Sequence, residues 1–221
     1  MIRRIDAATV AEAVEVLRGG GPVVLPLPSP AGYVVTATTG PVVNTTKGRA
    51  ADQPVGLSVR DLDVLDRHLA VTETATAQLR WLVGSETVSV LVPVADPVPD
   101  WLAPAVRDGW VFFTAAPWRP DLAEILTAFG WVFMSSANAT GGATAVTATQ
   151  AAAAFGDDVL VLDGDAERDP ARQHGSTTML RVGSTGDIEV ARSGIHDAAF
   201  AGPDAYAEDL RLRWDALSST P

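Results

Sequence analysis

The chain has 221 residues, of which 47% are apolar and 19% charged, enough apolar content for one domain with a substantial buried core. Its formal charge of −11 and pI near 4.6 argue against coating nucleic acid by charge alone, since a phosphate backbone rewards clustered Lys and Arg. With no cysteine, disulfides and thiolate chemistry are excluded.

No apolar run is long enough to span a bilayer, and Met1-Ile-Arg-Arg-Ile-Asp6 lacks the apolar stretch of a secretory leader, so a cytoplasmic protein is expected. Asp6 is a natural N-cap for a helix over 7–18, with Val10, Ala13, Val14 and Leu17 on one face and Gly19-Gly20-Gly21 ending it. Pro22 to Pro26 reads as a buried strand, Pro28-Ser29-Pro30 as a stiff loop and 33–38 as a second strand. A short helix over 41–47 would deliver Lys47 and Arg49 near its end. Val55–Val59 is a further strand, and helices are expected near 61–67 and 73–83.

Val88–Val92 is strand-like, Pro93 to Pro104 a proline-rich connection, and Val111 to Thr114 another strand. Asp121 is placed to cap a helix running to Phe129, and Trp131–Ser135 returns to the sheet. Thr147-Ala-Thr-Gln150 has the spacing of a capping box before an alanine-rich helix, which gives way to a strand over Val159–Leu162. Strands near 177–182 and 187–192 precede a polar, helical tail over 201–221. This alternation predicts one α/β domain over 1–200, a twisted mixed sheet with flanking helices.

One count stands out: fifteen arginines accompany a single lysine, Lys47. In a chain that favours arginine so strongly, the retained ammonium suggests a need for a compact point charge. Lys47-Gly48-Arg49 could grip a triphosphate, the guanidinium forking onto paired oxygens while the ammonium neutralises another. A solvated turn with two cations would give the same tripeptide. Ser135-Ser136-Ala-Asn138-Ala-Thr140-Gly-Gly142 follows a strand directly, and its hydroxyls, amide and glycines suit close approach to phosphate or ribose, or an ordinary turn. Walker A and Rossmann patterns are absent. His68, His174 and His196 lack metal spacing, and Asp157-Asp158 and Asp163-Gly-Asp165 read as solvated loop acids, so no metal-ligating residue is assigned.

In order, these segments resemble the Sua5/YciO/YrdC family of threonylcarbamoyladenylate synthases. The resemblance lies in Gly20-Gly21-Pro-Val-Val-Leu-Pro26, Lys47-Gly-Arg49 with Gln53-Pro54-Val55, Ser136-Ala-Asn138, Gly175-Ser176-Thr177 and Arg192-Ser193-Gly194. It implies a twisted α/β fold with a large open cavity. It also implies ATP as substrate, Mg²⁺ sharing the phosphate charge, and attack of a carbamate oxygen on the α-phosphate with release of pyrophosphate. Nucleotide binding would fall to Lys47, Arg49, Ser136, Asn138 and Arg192, the first two being the catalytic candidates.

The family's amino-acid-binding segment Pro-Thr-Asp-Thr-Val-Tyr-Gly is replaced here by Pro26-Leu-Pro-Ser29-Pro-Ala-Gly32, and its Arg-x-Pro by Ala115-Ala116-Pro117. The candidate substrate pocket is therefore Ser29, Ser58, Ala115, Arg119 and Ser176. Three readings follow. The first is an ATP-dependent nucleotidyltransferase making a carbamoyl- or acyl-type adenylate on an amine or carboxylate other than threonine. The others are the threonine enzyme that serves tRNA adenosine modification, and a catalytically silent nucleotide- or partner-binding module. ATP and a small molecule are the expected partners, with no membrane and no direct nucleic-acid binding.

Overall fold

The computed structural model describes residues 1–114, 120–156 and 158–219. In chain order, β1 (Ile2–Arg4), α1 (Ala7–Arg18), β2 (Val23–Pro26) and β3 (Tyr33–Ala37) lead to α2 (Gly40–Thr46), β4 (Gly56–Val59) and α3 (Glu73–Trp81). The middle supplies β5 (Ser89–Pro93), β6 (Val106–Arg107), β7 (Trp110–Thr114), α4 (Ala123–Phe129) and β8 (Trp131–Ser136). Then come α5 (Ala148–Phe155), β9 (Leu160–Asp163), β10 (Met179–Val182), β11 (Ile188–Arg192) and α6 (Pro203–Ser218).

The local chemistry sets most boundaries. Extended Asp6 accepts from the Thr9 amide at 2.8 Å, starting α1, and the i, i+3, i+4, i+7 set Val10, Ala13, Val14 and Leu17 is buried. Thr147 caps α5 by accepting from the Gln150 amide at 3.2 Å. The Gln150 side chain reaches back to the amide of Val146, one residue before the cap, so the box is offset by one.

Other expectations are corrected. The segment 61–67 forms two 3₁₀ turns, Leu62–Val64 and Asp66–His68, because its buried pair Leu62 and Leu65 is three residues apart, the repeat of that tighter helix. The helix expected over 73–83 stays α-helical to Trp81 and widens into a π turn over Leu82–Glu86. Asp121 does not cap α4: a 3₁₀ turn over Pro120–Leu122 intervenes, and Leu122 occupies the cap position without a side-chain bond. The short strands β1 and β6 are additions to the expected set.

Among the described residues the strands form one twisted mixed sheet in the order β1-β9-β2-β3-β8-β4-β7-β5-β10-β11, with β6 paired to β7. β1, β9 and β2 run parallel, β3 and β8 antiparallel, and β4 enters antiparallel to β8 but parallel to β7. One face carries the larger core cluster, with Tyr33, Leu57, Leu79, Val90, Phe113 and Leu180. The expected tail is helical, and α6 adds Tyr206, Ala207 and Leu210 to that cluster. On the other face α1 and α4 pack Leu17, Ile125 and Leu126 against Val23, Leu25, Val132 and Leu160. No helix among the described residues is long and apolar enough to cross a membrane.

Candidate functional site

The C-terminal end of α2 delivers the lone lysine. Lys47 is only 7% exposed, and its ammonium donates to the Ser136 carbonyl, to the Asn138 carbonyl at 2.8 Å and to Asn138 Oδ1 at 3.0 Å. Three acceptors thus meet three N–H donors. Burial, with the neighbouring Arg49 charge second, pushes its pKa down to about 8. Gly48, at φ +65°, makes the turn between Lys47 and Arg49. The Arg49 guanidinium donates to Thr140 Oγ1 and Ser135 Oγ, both at 3.3 Å, and Thr140 Oγ1 donates to the Lys47 carbonyl at 3.2 Å. Ser136 Oγ donates to Asn138 Oδ1, and the Asn138 amide donates to Gly142, which closes the loop on itself.

The opposite wall comes from the turn after β11. A Cβ on Gly194 would lie 2.5 Å from the Thr177 carbonyl carbon and the Thr178 nitrogen, so only glycine lets this turn lie against the strand entrance. Asp197 fixes it, accepting from Thr178 Oγ1 and from the Gly194 amide at 2.7 Å. Burial pushes His196 down to about 4, and its neutral Nδ1 accepts from the Thr178 amide at 3.2 Å. Arg192 donates to the Thr177 carbonyl at 3.3 Å, and burial holds its guanidinium below the ordinary value.

Between these walls lies a cleft of about 380 Å³, within the range of small-molecule sites. Its floor is the part of the sheet that α1 and α4 do not cover, with Leu91, Trp110, Phe112 and Met179 facing inward. Gly56 permits this shape, since a Cβ there would strike Phe112 at 2.6 Å. Its cationic residues are Arg49, Arg107 and Arg192, its hydroxyls include Ser135, Ser136, Ser176 and Thr177, and no carboxylate lines it among the described residues. In a chain of net charge −11 that is a marked local reversal of sign.

Of the sequence candidates, Arg49, Ser136, Ser176 and Arg192 line the cleft. Lys47 stands behind the wall, and Asn138 faces an adjoining hollow that shares Thr144, Gly175 and Ser176 with the cleft. Ser29 is exposed and lies 3.0 Å from His174 Nε2, outside the cleft lining. Ser58 is fully buried rather than pocket-lining, because its register opposite Val132 places it where α4 covers the sheet. Ala115 and Arg119 lie outside the described residues. Sequence reasoning missed Arg107 and Trp110, which flank Asp108-Gly109. That dipeptide is a strong signal for a two-residue hairpin, and both its residues take positive φ, 51° and 77°.

The family model Sua5_yciO_yrdC, described as "Telomere recombination", matches residues 15–194. The chain belongs to the Sua5/YciO/YrdC family. Among solved structures, it is similar to P. abyssi Sua5 complexed with L-threonine, at 19% identity and a TM-score of 0.66, covering 88% of this chain and 56% of that one. E. coli YciO matches at 18% identity and a TM-score of 0.64, covering 88% and 96% of the two chains. Full-length HypF in its phosphate- and nucleotide-bound form matches at 16% identity and 0.63, over 86% of this chain and 29% of that one. No curated protein matches the chain. At these identities the likeness speaks to the fold, and the Sua5 chain extends well beyond the shared part. Membership links the chain to a family of adenylate-forming enzymes, and the cleft lies on that shared fold.

Proposed function

We propose that this Sua5/YciO/YrdC member binds ATP in the cleft and forms a carbamoyl- or acyl-type adenylate, releasing pyrophosphate. The observation that carries this reading is the gathering of Arg49, Arg107 and Arg192 with serine and threonine hydroxyls in a carboxylate-free cleft of an acidic protein. Guanidinium groups and hydroxyls are the donors that hold phosphate oxygens, and transfer at phosphorus needs positioning and charge neutralisation more than a protein nucleophile. In this reading Arg49, Ser136 and Arg192 contact the nucleotide, with Asn138 at the adjoining hollow. Lys47 acts by holding the Ser136–Asn138 segment in place.

Mg²⁺ accompanies ATP in the expectation drawn from sequence. The described residues do not fit a resident site for it: the cleft offers no carboxylate, and no cluster of three or more His, Asp or Glu residues is found among them. The arginines and hydroxyls carry the phosphate charge in this reading.

Two acceptors compete. L-threonine, the substrate of the reaction that serves tRNA modification, is supported by its presence in the P. abyssi Sua5 structure. An acceptor other than threonine is supported by the lining of this cleft. Pyrophosphate release measured with ATP, bicarbonate and L-threonine tests the first. Release that requires another amine or carboxylate supports the second, and ATP binding without release under any condition leaves a silent binding module. Arg49→Ala is expected to weaken ATP binding roughly ten- to a hundredfold in calorimetry, the range for losing a charged hydrogen-bonding partner. Unchanged affinity would remove Arg49 from the nucleotide site.

A further inference from the structure

A free α-amino acid brings an ammonium as well as a carboxylate, and an enclosed ammonium needs acceptors, of which a carboxylate is the strongest. The cleft has no carboxylate among the described residues, and Ala115-Ala-Pro-Trp-Arg119, which continues from β7, contains no acid in its sequence. Asp108 approaches the Arg107 guanidinium at 3.4 Å, but it sits on the exposed hairpin turn, 85% open to solvent, and does not line the cleft.

Leu91, Trp110, Phe112 and Met179 come from three neighbouring strands and are each half-buried, so they present one continuous apolar surface to the cleft. Arg181 stands over the Trp110 ring at 5.1 Å, a contact that helps fix the ring's orientation. Leu27 lines the wall, whereas the nearby Ser29 hydroxyl is engaged with His174. The hydroxyls beside the floor are themselves paired: Ser89 with Thr177 at 2.8 Å and Thr144 with Ser176 at 2.5 Å.

We infer that the compartment over this floor takes an apolar carboxylate without an ammonium, of the aryl- or alkyl-alkanoate class, with its anionic end towards the arginines. The inference rests on reading the cleft as the ligand site, and it names the acceptor class for that site. The apolar body displaces water from the floor, and the arginines satisfy the carboxylate at the rim.

The test is calorimetric titration of the intact protein with 3-phenylpropanoate, L-phenylalanine and L-threonine, each with and without a non-hydrolysable ATP analogue. L-phenylalanine has the same body as 3-phenylpropanoate plus the ammonium, so the pair isolates that group. 3-Phenylpropanoate is expected to bind at least roughly tenfold more tightly than either amino acid, the order expected for stranding a charge without a partner. Arg107→Gln, confirmed as folded by its melting transition, is expected to weaken binding of 3-phenylpropanoate severalfold. Equal or tighter binding of L-threonine or L-phenylalanine overturns the inference, as does no measurable binding of 3-phenylpropanoate. Failure of the ATP analogue to bind, with the carboxylate preference intact, removes the nucleotide reading and leaves the acceptor class standing.

Discussion

One face of the sheet is finished in two ways. Over β2, β9, β3 and β8 the helices α1 and α4 close it, and Leu17, Leu25 and Ile125 are fully buried. Over the Gly56 end of β4 and over β7, β5 and β10 nothing comparable is laid on top among the described residues, and Leu91, Trp110, Phe112 and Met179 stay half-buried. Strand alternation is the same in both regions. The difference lies in what covers the side chains: the closed half is built for stability, while the open half leaves an apolar surface for something else to cover.

Truncation in the two halves should separate these roles. Leu17→Ala is expected to lower unfolding free energy by about 3 kcal/mol, as for a fully enclosed leucine, while leaving ligand affinity unchanged. Leu91→Ala should lower it by less than about 1.5 kcal/mol, because the cleft already exists, but should weaken binding of any ligand that rests on the floor. Urea unfolding with parallel calorimetry reads both. Equal losses of stability would erase the distinction between the halves.

Lys47 stands behind the wall of the cleft, and its role can be divided the same way. Lys47→Met removes the donor to the carbonyls of Ser136 and Asn138 in a buried setting and is expected to lower stability by about 2 kcal/mol, with loss of ATP affinity following from loosening of the loop. A residue that served only the ligand would lose affinity with no change in urea midpoint. That result would return Lys47 to a direct phosphate contact.

Much of this is legible in the sequence, and the rest is not for identifiable reasons. The α1 face, the β2 and β3 strands and the cap of α5 each rest on short-range spacing or capping chemistry, and each appears in the structure. Lys47-Gly48-Arg49 and Ser136-Ala-Asn138 stand out as segments and do meet in space. Which of their side chains faces the cleft depends on the turn at Gly48 and on packing from elsewhere, which local spacing does not encode. Ser58 escapes sequence reasoning in a similar way: its burial follows from its register against β8 beneath α4. Arg107 and Trp110 are within reach of it, because Asp108-Gly109 marks the hairpin whose strands carry them.

The closed side of the wall makes a pH prediction. His196 has a native pKa of about 4 and an unfolded value near 6.5, so the unfolded chain takes up the proton first as pH falls. Protonation would also abolish Nδ1 as acceptor for the Thr178 amide. Stability should therefore fall between pH 6.5 and 4 by roughly 2–3 kcal/mol from this group, and His196→Asn should flatten that part of the profile. An unchanged slope in the variant would place the acid sensitivity elsewhere.

The smallest expected effect lies at the rim of the open half. Gly109 has φ +77°, and a Cβ added there would find nothing within 4 Å, so an alanine meets no steric neighbour and is disfavoured by backbone conformation alone. Gly109→Ala is expected to lower stability by about 1 kcal/mol. Asp108→Asn should be near neutral, because asparagine accepts the left-handed region as readily as aspartate and the Arg107–Asp108 pair is exposed. If the hairpin sets the positions of Arg107 and Trp110, Gly109→Ala should also weaken binding of 3-phenylpropanoate while Asp108→Asn leaves it within about twofold. A loss of stability without a loss of binding would mean that the turn shapes the fold but not the cleft, and that pairing of β7 with β4 and β5 is enough to hold the floor.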